Sequence, residues 1–256
     1  MSFNMKLFNK MFYVFAFLFL MINAGPSFCS QNKIEPDKEK SEIKRQLVDW
    51  ITNYYRHKNP EEVATYLKML QQHHKEIWPR QGQSYYVLFG FFTALFADNP
   101  GRVGEWWGSQ KFSGDLEKAL KTALTLHNAN VNPEAKALLK AKEVHSHILL
   151  LAVTEGAILD VFWAAFFASG NVEYVGKIVD VLTPDYRWES QLNEKMIEAI
   201  KFAAVWSLLS NMNQHEVVEN YMQELAKADA SGKSAVARKM LDLKKDEDKE
   251  KSKTKP

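Results

Sequence analysis

Cysteine is all but missing from this chain: Cys29 stands alone among 256 residues. A single thiol closes no internal disulfide and builds no thiolate zinc site, so neither kind of cross-link braces the fold. The familiar catalytic patterns are missing too. There is no Gly-rich phosphate loop, no Gly-x-Ser-x-Gly and no Ser-x-x-Lys in a suitable setting, which weighs against an enzyme but leaves open a site assembled from distant residues. The seven histidines form no metal signature. His73 and His74 are adjacent and His145 and His147 are two apart, spacings that cannot share one face of a helix, and no metal or cofactor is expected.

An excess of one charge is lacking as well. The formal net charge is +2, with two lysines in residues 1–29 and six lysines against four acids from Lys244 onward, which leaves the body at −2. Nucleic-acid binding rests on neutralising many phosphates, so this body has no footprint for it.

Long apolar runs are few. The first, Met11 to Ile22, follows Lys6 and Lys10 and precedes the small residues Ala24, Gly25 and Ser27, the layout of a secretory signal peptide over residues 1–29. A run of about a dozen falls short of the roughly 20 residues that cross a bilayer. The expectation is therefore cleavage, no transmembrane anchor afterwards, and a mature protein in the periplasm or outside a bacterium. A cut after Ala24 keeps Cys29 and a cut before Ser30 removes it. Lipid attachment through Cys29 is the weaker reading, because Pro26 and Phe28 occupy positions where lipoprotein signals carry an aliphatic and a small residue.

The second run, Ile148 to Phe167, contains Glu155 and Asp160. An acid at a bilayer centre costs roughly 2.5–3.5 kcal/mol on insertion scales, so this segment reads as one helix enclosed by others. A carboxylate in such surroundings needs a partner or shifts its pKa. Glu155, Asp160 and Trp163 are accordingly candidates for a pocket, with His147 two helical turns before Glu155; the alternative is a structural ion pair to a neighbouring helix.

What the chain does have is helical periodicity. Ile43, Leu47, Trp50, Ile51, Tyr54 and Tyr55 recur at spacings of three and four, and no stretch shows sustained two-residue alternation, so the fold class is all-α. An Asn followed by a new amphipathic helix recurs at Asn59, Asn99, Asn171 and Asn213, with a weaker copy at Asn132. Such an Asn suits a helix N-cap, and Pro60 and Pro100 suit the first helical position. The spacing of 33 to 42 residues is that of stacked antiparallel hairpins, in an α-solenoid-like array or a compact bundle. The pattern resembles the tetratricopeptide-like class in architecture only, since Trp-x-x-Leu-Gly-x-x-Tyr occurs in no unit. The expected layout is a polar linker at 30–40, one helical domain at 41–243 and a disordered Lys-rich tail at 244–256.

Aromatic pairs supply the other candidates. Tyr85, Tyr86, Trp106 and Trp107 fall in one hairpin, and neighbours in sequence cannot both enter a narrow core stripe, so one of each pair either fills a wide seam or stands out as a binding anchor. Together these readings point to a non-catalytic module that binds another envelope protein or a peptide. The alternatives are a small-molecule binder or hydrolase around Glu155 and Asp160, and a structural envelope protein whose tail makes peripheral contact with the envelope.

Overall fold

The helix α3 (Gln83–Asp98) is apolar on every side, and each residue from Val87 to Ala97 is buried. A helix of that composition must be surrounded by others. Its principal neighbour is α7 (Ala157–Ser169), equally apolar and buried from Val161 to Ala168. These observations come from a computed structural model that describes residues 36–78, 82–129, 141–228 and 232–253. The fold is all-α, with no strand among the described residues.

The remaining helices wrap this pair. α1 (Pro36–Asn53) and α2 (Val63–Ile77) form an N-terminal hairpin, and α1 also packs on α7. The short α4 (Val103–Gly108) leads into α5 (Gly114–Ala129), which covers another side of α3, as does α6 (Ala141–Leu149). α8 (Glu173–Asp180) lies on α7 and connects to α9 (Glu194–Gln214), α10 (Glu216–Lys227) and α11 (Gly232–Lys253). The N-terminal hairpin thus touches a central helix far from it in sequence.

The Asn joins prove unequal. Asn59 and Asn171 cap as expected, accepting the backbone N–H of Glu61 at 3.2 Å and of Glu173 at 3.0 Å. Asn99 instead turns its amide back to donate to the Leu95 carbonyl. Asn213 lies inside α9, and His215 occupies the position before α10. Asn132 and the leader at 1–29 lie outside the described residues.

Three expectations are corrected. The segment Ile148–Phe167 is two helices rather than one: the chain leaves α6 after Leu149 and re-enters at Ala157 with Gly156 as the N-cap. Gly156 is a poor helix former, and the connection is tied by the Val153 N–H donating to the Tyr186 hydroxyl. Residues 36–40, expected in the linker, belong to α1, which begins at Pro36, a residue suited to a first helical position. The tail is helical through Lys253. Counting apolar residues overlooked its charge spacing: Lys245 with Asp242, Lys249 with Asp246 and Lys251 with Glu247 pair at three- and four-residue intervals, and Lys244 reaches Glu219 of α10.

Candidate functional site: a cleft around Asp160

Asp160 occupies the first turn of α7, and Trp163, Ala164 and Phe167 follow at three, four and seven residues, on the same helical face. Opposite stand Lys44, Val48, Ile51 and Thr52, the corresponding face of α1. Ile77 and Trp78 at the end of α2 and Val87 of α3 close the ends. The space between them is about 40 Å³. One water needs roughly 10–15 Å³ measured this way, so the cleft holds a few heavy atoms and no more.

Its chemistry is unusual for its size. The walls are apolar, and among the described residues no hydrogen bond or ion pair reaches the Asp160 carboxyl. Asp160 keeps some surface open at the cleft, yet protein packs around it densely enough that burial alone pushes its pKa up to about 7. The indole N–H groups of Trp78 and Trp163 are buried without an acceptor.

The other candidates are not gathered here. Glu155 is exposed on the connection before α7, where it accepts a hydrogen bond from the Tyr86 hydroxyl at 2.5 Å, an interaction that pushes the tyrosine pKa up to about 12. Because the helix breaks between them, His147 and Glu155 do not line up on one face, and neither lines the cleft. Tyr85 donates to Thr122 and lies stacked on Phe89. Trp106, offered as a binding anchor, is fully buried against Phe96. It is Trp107, 100° round the helix, that stays partly exposed, packed on Phe112.

Two polar clusters escaped the sequence reading. In the first, the Tyr174 hydroxyl bonds His145 Nδ1, His145 Nε2 bonds Asp98 at 3.0 Å, and Lys58 reaches the other Asp98 oxygen at 3.0 Å. The carboxylate accepts only from a protonated Nε2, so Nδ1 takes the tyrosine hydrogen. Hydrogen bonds from His145 and Lys58 outweigh burial and hold Asp98 below the usual aspartate range. The chain has the order of a proton relay, but Tyr174 is fully buried and offers no hydroxyl to a substrate. In the second cluster, Arg56 donates to the Tyr55 hydroxyl at 3.0 Å and to the Gln214 carbonyl, and Tyr55 bonds His215 Nδ1 at 3.0 Å. A wider groove beside it is lined by Arg56, Lys244, Glu216 and Glu219, so its charges balance. No set of three or more His, Cys, Asp or Glu that could hold a metal occurs among the described residues.

No family model matches the chain, and it has no match among curated proteins or solved structures.

Proposed function

We propose that this is an exported, non-catalytic binding module that recognises another envelope protein or a peptide by taking one side chain into the Asp160 cleft. The observation that carries the proposal is a carboxyl kept inside an apolar cleft without a partner. Such a group costs stability, and proteins retain that cost where a ligand recovers it. Small-molecule pockets usually enclose far more of their ligand; this one suits a single side chain. A hydrolase reading finds less support, because the carboxylate pair it was built on is not assembled: Glu155 is bonded to Tyr86, away from Asp160. No described helix is long and apolar enough to cross a membrane.

Selection of displayed peptides on the full chain, compared with Thr52→Phe, tests the reading. Thr52 is half-buried on α1 at the cleft, so the larger ring fills the space with little disturbance to the core. Peptides bound by the wild type and lost in a Thr52→Phe variant of unchanged melting temperature are the expected result. Peptides that bind both proteins equally would overturn it.

A further inference from the structure

Resting on the reading of the cleft as the recognition site, we propose that its occupant is a primary ammonium on a short alkyl chain, with the charge on Asp160 and the methylenes along Val48, Ile51 and Phe167. Three features select that chemistry. The carboxylate has no ion pair: Lys44 also lines the cleft but does not pair with Asp160. A buried charge is compensated by an opposite charge with good geometry, so an ammonium gains here and a carboxylate is repelled.

The walls are the second feature. Val48, Ile51, Ile77, Val87 and Phe167 offer methylene contacts and nothing to hydrogen-bond, while Trp78 and Trp163 add aromatic surface that attracts cations. Thr52 supplies the one hydroxyl. Its hydrogen goes to the Val48 carbonyl at 2.9 Å and one lone pair accepts from Asn53 Nδ2 at 3.4 Å, so the second lone pair is left as an acceptor. One carboxylate and one hydroxyl oxygen match a three-donor ammonium better than a guanidinium with five fixed donors.

Volume is the third. The 40 Å³ of the cleft admits roughly three water-sized groups, which is the distal part of a lysine side chain or a small free amine. Removing the Asp160 charge should weaken binding at least tenfold.

Calorimetric titration of the full chain at pH 8 with n-butylamine, n-butanol and n-butyrate tests the assignment. The expected order is butylamine well ahead of butanol, with no binding of butyrate and at least a tenfold loss in Asp160→Asn. Equal binding of butanol and butylamine would overturn the charge assignment and leave the cleft as a site. If no probe binds the wild type and Thr52→Phe leaves the selected peptides untouched, both the assignment and the cleft reading fail. A lysine peptide and its Nε-acetylated form separate the two sources: loss on acetylation places the amine on a partner chain, and binding of butylamine alone makes it a free small molecule.

Discussion

Gly90 of α3 lies flat against the backbone of α7: a Cβ built on it would stand 2.3 Å from the Val161 carbonyl oxygen and 2.9 Å from the Val161 Cα. The atoms it would strike are backbone, which cannot swing aside as a side chain does. Gly90→Ala must push apart the two central helices, and overpacking of this kind outweighs the roughly 1 kcal/mol that alanine gains over glycine in a helix. The expected result is a loss of roughly 3 kcal/mol in urea unfolding. Gly104→Ala is the control, because nothing lies within 4 Å of a Cβ there; it should leave stability unchanged or raise it slightly. Equal behaviour of the two variants would refute this packing.

Trp106 and Trp107 make opposite predictions from adjacent positions. Trp106 is fully buried, so Trp106→Ala removes a core ring and should cost about 3–5 kcal/mol. Trp107 is partly exposed beside Phe112, and Trp107→Ala should cost about 1 kcal/mol. Guanidinium denaturation of the two variants distinguishes them, and similar losses would mean that this short helix is rotated from the position described.

That pair marks where the sequence stops being informative. Composition alone identifies the α7 segment as an enclosed helix, and an acid among its apolar residues singles out Asp160 as a group needing explanation. Rotation is another matter, since two adjacent aromatics on a six-residue helix give no periodicity from which to choose the inner one. The break after Leu149 is equally hidden, because Leu150 and Leu151 continue the apolar run while the backbone has already left the helix. Asp98, His145 and Tyr174 are brought together across 47 and 29 residues, and only the packing of α3, α6 and α8 makes them neighbours.

His215 should oppose acid. Burial, with the Arg56 charge beside it, lowers its pKa from 6.5 to about 4, and Arg56, which can only donate, approaches Nδ1 at 3.3 Å. The unfolded chain therefore takes a proton as pH falls through 6.5 while the folded protein does not, so this group's own contribution to stability falls by roughly 3 kcal/mol between pH 6.5 and about 4. His215→Asn keeps an acceptor near the Nδ1 position and a residue suited to precede α10. It should lose about 1 kcal/mol at neutral pH from weaker packing on Phe166 and Phe167. It should also remove this contribution and so tilt the pH profile away from the wild type's between pH 6.5 and 4; a profile parallel to the wild type's would show that His215 titrates freely in the folded state.

Asp160 acts in the opposite sense over nearly the same range. Its pKa rises from 3.8 to about 7 on folding, so between those values the folded protein holds a proton that the unfolded chain has released, and stability falls as pH rises. From pH 4 to 6.5 the extra proton on native Asp160 and the extra proton on unfolded His215 cancel. These two groups together therefore leave the wild type with almost no pH slope. Asp160→Asn exposes the histidine term, and stability should then climb by about 1.4 kcal/mol per pH unit until about pH 6.5. The variant should match the wild type near pH 4 and exceed it at pH 8 by roughly 2–4 kcal/mol, the lower figure allowing for the surface Asp160 keeps at the cleft. Urea titrations of wild type, Asp160→Asn and His215→Asn at pH 4, 5, 6 and 8 measure all three slopes. Parallel curves for the wild type and Asp160→Asn would mean that the Asp160 carboxyl is ionised in the folded protein at ordinary cost, and the case for an unpaired buried acid in the cleft would be lost.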